Sequence, residues 1–185
     1  FDNPNGKIDR DLFLGEPDVN DYHREQYAFG YEFSHRLNDV WTLKQNARYA
    51  RVNDHYTAPL HGYRFVTNPI TGQNDQRYQT RYGVDWQQDN KVFGVDNIAQ
   101  AEFDTGPFSH TAIVGLDYYH FNSKFDGLYD YNPPIIDLFT PTYGQPLNFG
   151  NNYRWDNTIT QTGLYAQDQI KLDQWVFVLG GRYDW

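Results

Sequence analysis

The side chains with most capacity for chemistry in this chain are aromatic rings placed where connections are expected. Residues 53–76 carry Tyr56, His61, Tyr63 and Phe65. Residues 122–157 carry Phe125, Tyr129, Tyr131, Phe139, Tyr143, Phe149, Tyr153 and Trp155. Connections normally carry Gly, Ser and charge. Rings with polar tips stack on the apolar rim of a ligand and donate hydrogen bonds to its oxygens. They also pack one loop on another, and both roles stay open for each residue. Other chemistries have less to stand on. The histidines at 23, 35, 55, 61, 110 and 120 show no ligand spacing, so no metal site is expected. Asp117, Asp168 and Asp184 lie in strand-like stretches with no nucleophile or base in a recognisable motif, so no catalytic residue is expected. A carboxylate pair for glycoside hydrolysis needs only two Asp or Glu side chains at a set separation, and spacing leaves it open as a minor alternative. Arg182 and Asp184 share one strand face, as a charge network facing a polar lumen or as a salt bridge between strands.

The elements that must hold these residues are strands. The C-terminal stretch reads as a hairpin: Gly163–Leu172, a turn at Asp173-Gln174, and Trp175–Trp185 returning. In the return strand Trp175, Phe177, Leu179, Tyr183 and Trp185 share a face, opposite Arg182 and Asp184. Aromatics at both ends of an apolar middle match the depth profile of a bilayer. Tyr27, Phe29, Tyr31 and Phe33 alternate with polar or small residues in the same way. After a turn at Asn38-Asp39, Trp41 and Leu43 continue the apolar parity. Tyr165 and Asp168 have opposite parity, and the sequence leaves open which one faces inward.

Residues 77–103 are ambiguous. Tyr78, Tyr82, Val84 and Trp86 hold one phase; Phe93, Val95, Ala99 and Phe103 hold the other. Either the chain turns at Gln88–Asn90, or one long strand contains a bulge that shifts parity by one. The long strand makes connections alternate between short (Asn38, Asp104–Pro107, Asp173) and long, as outer-membrane barrels do. The expected strands are about 22–37, 40–52, 77–103, 108–121, 158–172 and 175–185, with long extracellular loops at 53–76 and 122–157. Tyr27, Phe29, Tyr31, Phe33, Leu43, Val114, Leu116, Phe177 and Leu179 should face lipid.

Composition agrees with a membrane barrel. The chain is 18% aromatic yet has a mean hydropathy of −0.82, which suits strands with one apolar and one polar face. It has no run of about 20 apolar residues, as a transmembrane helix would need. Absence of Cys removes disulfides and thiolate ligands. A net charge of −9 argues against nucleic acid as a partner. Six strands are too few to close a barrel, since the smallest have about eight. The fold class is therefore all-β: about six antiparallel strands, with residues 1–185 forming a portion of a single transmembrane outer-membrane β-barrel domain.

Gly163-Leu-Tyr-Ala-Gln-Asp-Gln, followed by Leu179-Gly-Gly-Arg-Tyr-Asp-Trp185, resembles the barrel signature of TonB-dependent siderophore receptors of the ferric-hydroxamate branch. Trp41-Thr-Leu-Lys-Gln-Asn-Ala-Arg-Tyr49, His110-Thr-Ala-Ile-Val-Gly-Leu-Asp117, Pro4-Asn-Gly-Lys7 and Leu14-Gly-Glu-Pro17 resemble further segments from the middle of that barrel. The resemblance implies a parent barrel of 22 strands in the bacterial outer membrane, filled by a plug domain that is absent from this sequence. It implies a receptor, not an enzyme, that binds a ferric siderophore and imports it with energy from the TonB complex, reached through the plug. No cofactor is expected to be bound directly; Fe3+ arrives inside the chelate. The ligand-binding expectations are Tyr63, His61, Tyr129 and Tyr131, in loops that make an aromatic cup, with Arg182 and Asp184 facing lumen and plug and lipid surrounding the barrel. A passive outer-membrane porin and a soluble β-sandwich carbohydrate-binding module are the alternatives.

Overall fold

The computed structural model describes residues 2–185. Among these the regular elements are all strands: β1 (Asp2–Asn3), β2 (Gly6–Lys7), β3 (Asp21–Arg36), β4 (Trp41–Val66), β5 (Tyr78–Thr105), β6 (Phe108–Asp130), β7 (Ile136–Asp137), β8 (Asn151–Leu172) and β9 (Trp175–Asp184). β1 and β2 form a small antiparallel ribbon. The rest make one sheet in the order β3-β4-β5-β6-β8-β9, with β7 paired to β5. Each long strand thus neighbours the next long strand in the chain. One large sheet with a short ribbon is not the pair of facing sheets a β-sandwich requires. The chain divides into two compact units.

One unit comprises Gln26–Val52, Asn90–Ser123 and Asn157–Trp185, and holds the three tight turns between the long strands. At the first, Asn38 Oδ1 accepts from the backbone N–H groups of Val40 (2.9 Å) and Trp41 (2.8 Å). At the second and third, Gly106 (φ 63°) and Asp173 (φ 50°) adopt the left-handed conformation that Gly, Asn and Asp tolerate best. Tyr27, Phe29, Tyr31, Phe33, Leu43, Val114, Leu116, Phe177 and Leu179 are all exposed. Exposure alone does not assign a face on β9, which is exposed on both sides. The partners of each face do. Phe33, Leu43, Ala99, Val114, Leu116 and Leu164 line a shallow apolar groove of about 380 Å³, whereas Arg182 sits in a polar network described below.

The other unit comprises the N-terminal stretch to Glu25, Asn53–Asp89 and Lys124–Asp156. It holds most of the buried residues, among them Ala58, Val84, Ile136 and Leu138 with Glu16 and Arg81. Here the expected loop boundaries are corrected. Residues 53–66, 122–130 and 151–157 are strand, so the long connections shrink to 67–77 and 131–150. Pro59 and Gly62 read as loop punctuation, but both fit a strand. β3 begins at Asp21, with the Tyr22 ring 5.9 Å from Tyr56. Beyond that point β4 has no β3 neighbour, so Pro59, although buried, lies where no ladder N–H toward β3 is needed. Gly62 allows close approach: a Cβ there would lie 2.7 Å from the Thr80 carbonyl oxygen.

β5 runs unbroken through Gln88–Asn90. Its register against β4 does not slip: Gly62 lies against Thr80, Thr57 donates to Asp85 (3.0 Å), Gln45 donates to Asn97 (2.6 Å) and Glu102 N–H donates to Val40 (2.9 Å). The intervals of 5, 12 and 5 residues between these positions on one side are matched by the same intervals on the other. The expected parity-shifting bulge is therefore not there, and Tyr82 and Trp86 keep the parity of Asp96.

The short strand β7 is tied to the start of β5 by charge. Arg77 Nε donates to Asp137 Oδ2 at 2.9 Å, and Asp137 also accepts from the N–H groups of Phe139 and Thr140 and the Thr140 hydroxyl. Burial pushes the Asp137 carboxyl up, but Arg77 and these donors outweigh it and hold the pKa at about 2. A depressed carboxylate contributes stability above its ordinary pKa of 3.8, lost as pH falls through about 2. The contribution is on the order of 2 kcal/mol. Hydrogen exchange at Ile136–Asp137, corrected for intrinsic rates, is expected to speed up between pH 4 and pH 2 in the native protein. Asp137→Asn should be fast throughout. A native profile as flat as the variant's contradicts the assignment.

Candidate functional site

Within the unit that contains both long connections, rings from five consecutive sheet strands meet in a row. Tyr22 (β3) meets Tyr56 (β4) edge-on at 5.9 Å, Tyr56 meets Trp86 (β5) at 5.7 Å, and Trp86 meets Phe125 (β6) at 5.9 Å. Phe125 stacks on Trp155 (β8) at 5.4 Å and 7°, with Tyr153 edge-on at 6.3 Å. Edge and offset contacts of this kind each add about 0.5–1.5 kcal/mol beyond area burial. The row is continuous across the five strands.

Tyrosine hydroxyls gather beside it. Tyr82 interacts with the Tyr63 hydroxyl and lies within electrostatic range of Tyr56 and Tyr129; Tyr129 in turn senses Tyr131 and Tyr153. Tyr82 is thus within electrostatic reach of both Tyr63 and Tyr129. The expected site residues are placed as follows. Tyr63 is 89% exposed, with the exposed His61 ring edge-on at 6.5 Å. Tyr131 is exposed and stacks on half-buried Tyr129 at 5.7 Å, nearly parallel. His61, Tyr63 and Tyr129 project from strands β4 and β6; Tyr131 follows the end of β6. A ring as exposed as Tyr63 is not explained by packing one loop on another. Sequence reasoning missed Tyr82 and Trp86 as members of this site, because with a parity-shifting bulge expected in β5 their phase was assigned to no face. Their shared parity with Asp96 was the signal available. Among the described residues, no three His, Asp or Glu side chains are grouped so as to hold a metal ion.

The other unit holds a polar network. Arg182 clasps Asp117 through two bonds (2.6 and 3.0 Å) and Asp184 through Nε and Nη2 (2.8 and 2.6 Å). Gln161 donates to Asp184 at 3.0 Å. The Arg182 guanidinium also lies 5.7 Å from the centre of the Tyr165 ring, a cation–π distance. Tyr165 donates to Asp96 at 2.9 Å. Arg182 and Asp184 thus belong to one cluster with Asp96, Asp117 and Tyr165, of which sequence reasoning had named only the first two as site residues. Tyr165 takes the polar side and Asp168 the other. Asp168 accepts from His110 Nδ1 at 2.8 Å, and the His110 ring stacks on Phe103 at 4.8 Å.

Comparison with known proteins agrees with this architecture. A family model described as TonB dependent receptor-like, beta-barrel, matches residues 1–185. The ferrioxamine B receptor of Salmonella typhimurium (strain LT2) is 32% identical over 184 residues, covering 97% of this chain and 24% of that protein. The ferrichrome outer membrane transporter/phage receptor of Escherichia coli (strain K12) is 33% identical over 205 residues, covering 98% of this chain and 27% of that protein. The chain therefore spans about a quarter of the length of these curated relatives. Among solved structures, the ferric-catecholate import receptor Fiu from E. coli K12 in its closed form gives a TM-score of 0.78 at 20% identity, covering 97% of this chain and 26% of that one. The siderophore receptor PiuA from Acinetobacter baumannii gives 0.69 at 18%, covering 97% and 28%. At those identities the structures speak for the fold alone.

Proposed function

We propose, for a chain that belongs to the TonB-dependent receptor β-barrel family, that its parent protein binds a ferric hydroxamate siderophore over the tyrosine cluster and imports it. The family consists of receptors and transporters of the bacterial outer membrane, not enzymes. In this proposal Tyr63 and His61 form one side of the cup, and Tyr129 with Tyr131 the other. Arg182 and Asp184 face the lumen and a plug domain, through which the TonB complex supplies energy. Iron arrives within the chelate, so the protein itself holds no cofactor. Support for a hydroxamate comes from two relatives named for ferrioxamine B and ferrichrome, and from chemistry. Tyrosine hydroxyls donate to chelate oxygens, and a net charge of −9 disfavours polyanionic catecholates.

The observation that carries this reading is Tyr63: a highly exposed ring on a strand, edge-on to His61. Its ring would stack on the apolar rim of the chelate while its hydroxyl donates to an oxygen near the iron. Removing one such contact is worth about 1–3 kcal/mol, or roughly ten- to a hundredfold in affinity. Tyr63→Ala in the full-length receptor is therefore expected to weaken binding of radiolabelled ferric ferrioxamine B or ferrichrome to whole cells by that factor. Unchanged affinity at normal surface expression removes Tyr63 from the site.

A further inference from the structure

The connection 131–150 has little secondary structure, yet its backbone is pinned along its length. Asp130 Oδ1 accepts from the N–H of Asn132 (3.0 Å), and Oδ2 accepts from Asn148 (2.8 Å). Between these points, one ion pair reaches both limbs. Arg81 Nη1 lies 2.7 Å from Glu16 Oε1, with side-chain exposures of 0% and 1%. Arg81 Nε donates to the Pro134 carbonyl at 2.8 Å, and Gly144 N–H donates to Glu16 Oε2 at 2.7 Å. Arg81 Nη1 also reaches the Gly15 carbonyl at 3.4 Å, and the Tyr143 hydroxyl donates to the Phe13 carbonyl at 2.8 Å. The N-terminal stretch, β5 and both limbs of the connection thus converge on two charged side chains.

Such a pair is a poor device for stability. Desolvating both charges costs about what their attraction returns, and Arg81 Nη2 is buried without a partner, which adds to the cost. What the pair supplies is geometry. A guanidinium and a carboxylate have enough directed donors and acceptors to hold Pro134 and Gly144 at fixed positions; apolar side chains have none. We propose that Glu16 and Arg81 are positioning residues that fix the 131–150 connection, so that the wall carrying Tyr131 stands beside the tyrosine cluster before any ligand arrives. The proposal rests on the cup described above. A preformed wall removes the ordering cost of ligand binding, so releasing it lowers affinity although neither residue touches ligand.

The test uses the full-length receptor in the outer membrane of whole cells. The connection contains no Lys or Arg but does contain Leu138, Phe139, Tyr143 and Phe149, so chymotrypsin is the probe of its release. Arg81→Met is expected to be cut within 131–150 at least tenfold faster than the native protein, and to bind ferric ferrioxamine B at least tenfold more weakly. Glu16→Gln keeps an acceptor for only one of Arg81 and Gly144 and turns its amide NH2 on the other donor, so it too is expected to be cut faster and to bind more weakly than native. Resistance of Arg81→Met to chymotrypsin overturns the proposal. So does faster cutting with unchanged affinity, if Tyr63→Ala does weaken binding. If Tyr63→Ala leaves binding unchanged, the cup reading has failed, and cleavage alone then decides whether the pair holds the connection. Should Arg81→Met fail to reach the surface, Arg81→Lys, which keeps the charge but cannot reach Pro134 and Glu16 together, is judged by the same measures.

Discussion

Leu116→Arg is expected to cost about 2–4 kcal/mol when the full-length barrel is refolded into lipid vesicles and unfolded with denaturant. Leu116 lies in the apolar groove with Phe33, Leu43, Ala99, Val114 and Leu164, a lining that includes no carboxylate. On the proposed assignment of the polar network to the lumen, this face meets lipid, and a guanidinium there finds no anion, since the polar lining residues are Lys44, Gln45 and Asn97. The same substitution at Leu179 is expected to cost distinctly less, although the sequence alone ranks the two alike. Leu179 lies directly opposite Asp168 in the β8–β9 register, and a new arginine would find that carboxylate across the strand. The two variants together test the face and the neighbour. Equal costs for both contradict the role of Asp168; no cost for Leu116→Arg contradicts the face itself.

Gly62→Val should separate β4 from β5 at one point and cost about 1–3 kcal/mol. A Cβ at Gly62 would stand 2.7 Å from the Thr80 carbonyl oxygen and 2.8 Å from its carbon. Those are backbone atoms with no rotamer to change. The bond from Gln79 Nε2 to the Gly62 carbonyl (2.8 Å) would go with the displacement, and so would the placement of His61 and Tyr63 on either side. Ferric hydroxamate binding should fall together with stability. Gly181→Ala is the control, because nothing lies within 4 Å of a Cβ built there. A Gly62 variant as stable as that control means the two strands have more room than the geometry allows.

The features of this fold that local pattern decides were readable. The β8–β9 hairpin follows from alternation around Asp173-Gln174, and the apolar parity gathers Phe33, Leu43, Val114 and Leu116 into one groove from three strands. What was not readable depends on partners far away in sequence. Pro59 and Gly62 look like loop residues until the end of β3 and the closeness of Thr80 are known. The facing of Tyr82 stays undecided until the β4–β5 register removes the bulge. Tyr63, His61, Tyr129 and Tyr131 were chosen for ring chemistry, but nothing local indicates that Tyr82 is within electrostatic reach of two of them. Glu16 and Arg81 are ordinary charged residues in sequence; only folding buries them against each other.

Tyr165 has a consequence of a different kind. Its ring lies over Gly115, where any side chain would collide with it, and its hydroxyl reaches Asp96. It therefore crosses the whole width of β6 to bind β5 from β8. Backbone ladders join only adjacent strands, so their seams can open singly, each without the next. A ring that skips a strand prevents this, since β6 cannot leave without pulling the other two out of alignment. The three strands then open as one cooperative block whose amides share a single protection factor, and Arg182, which crosses β8 to clasp Asp117 on β6, ties β9 to the same block.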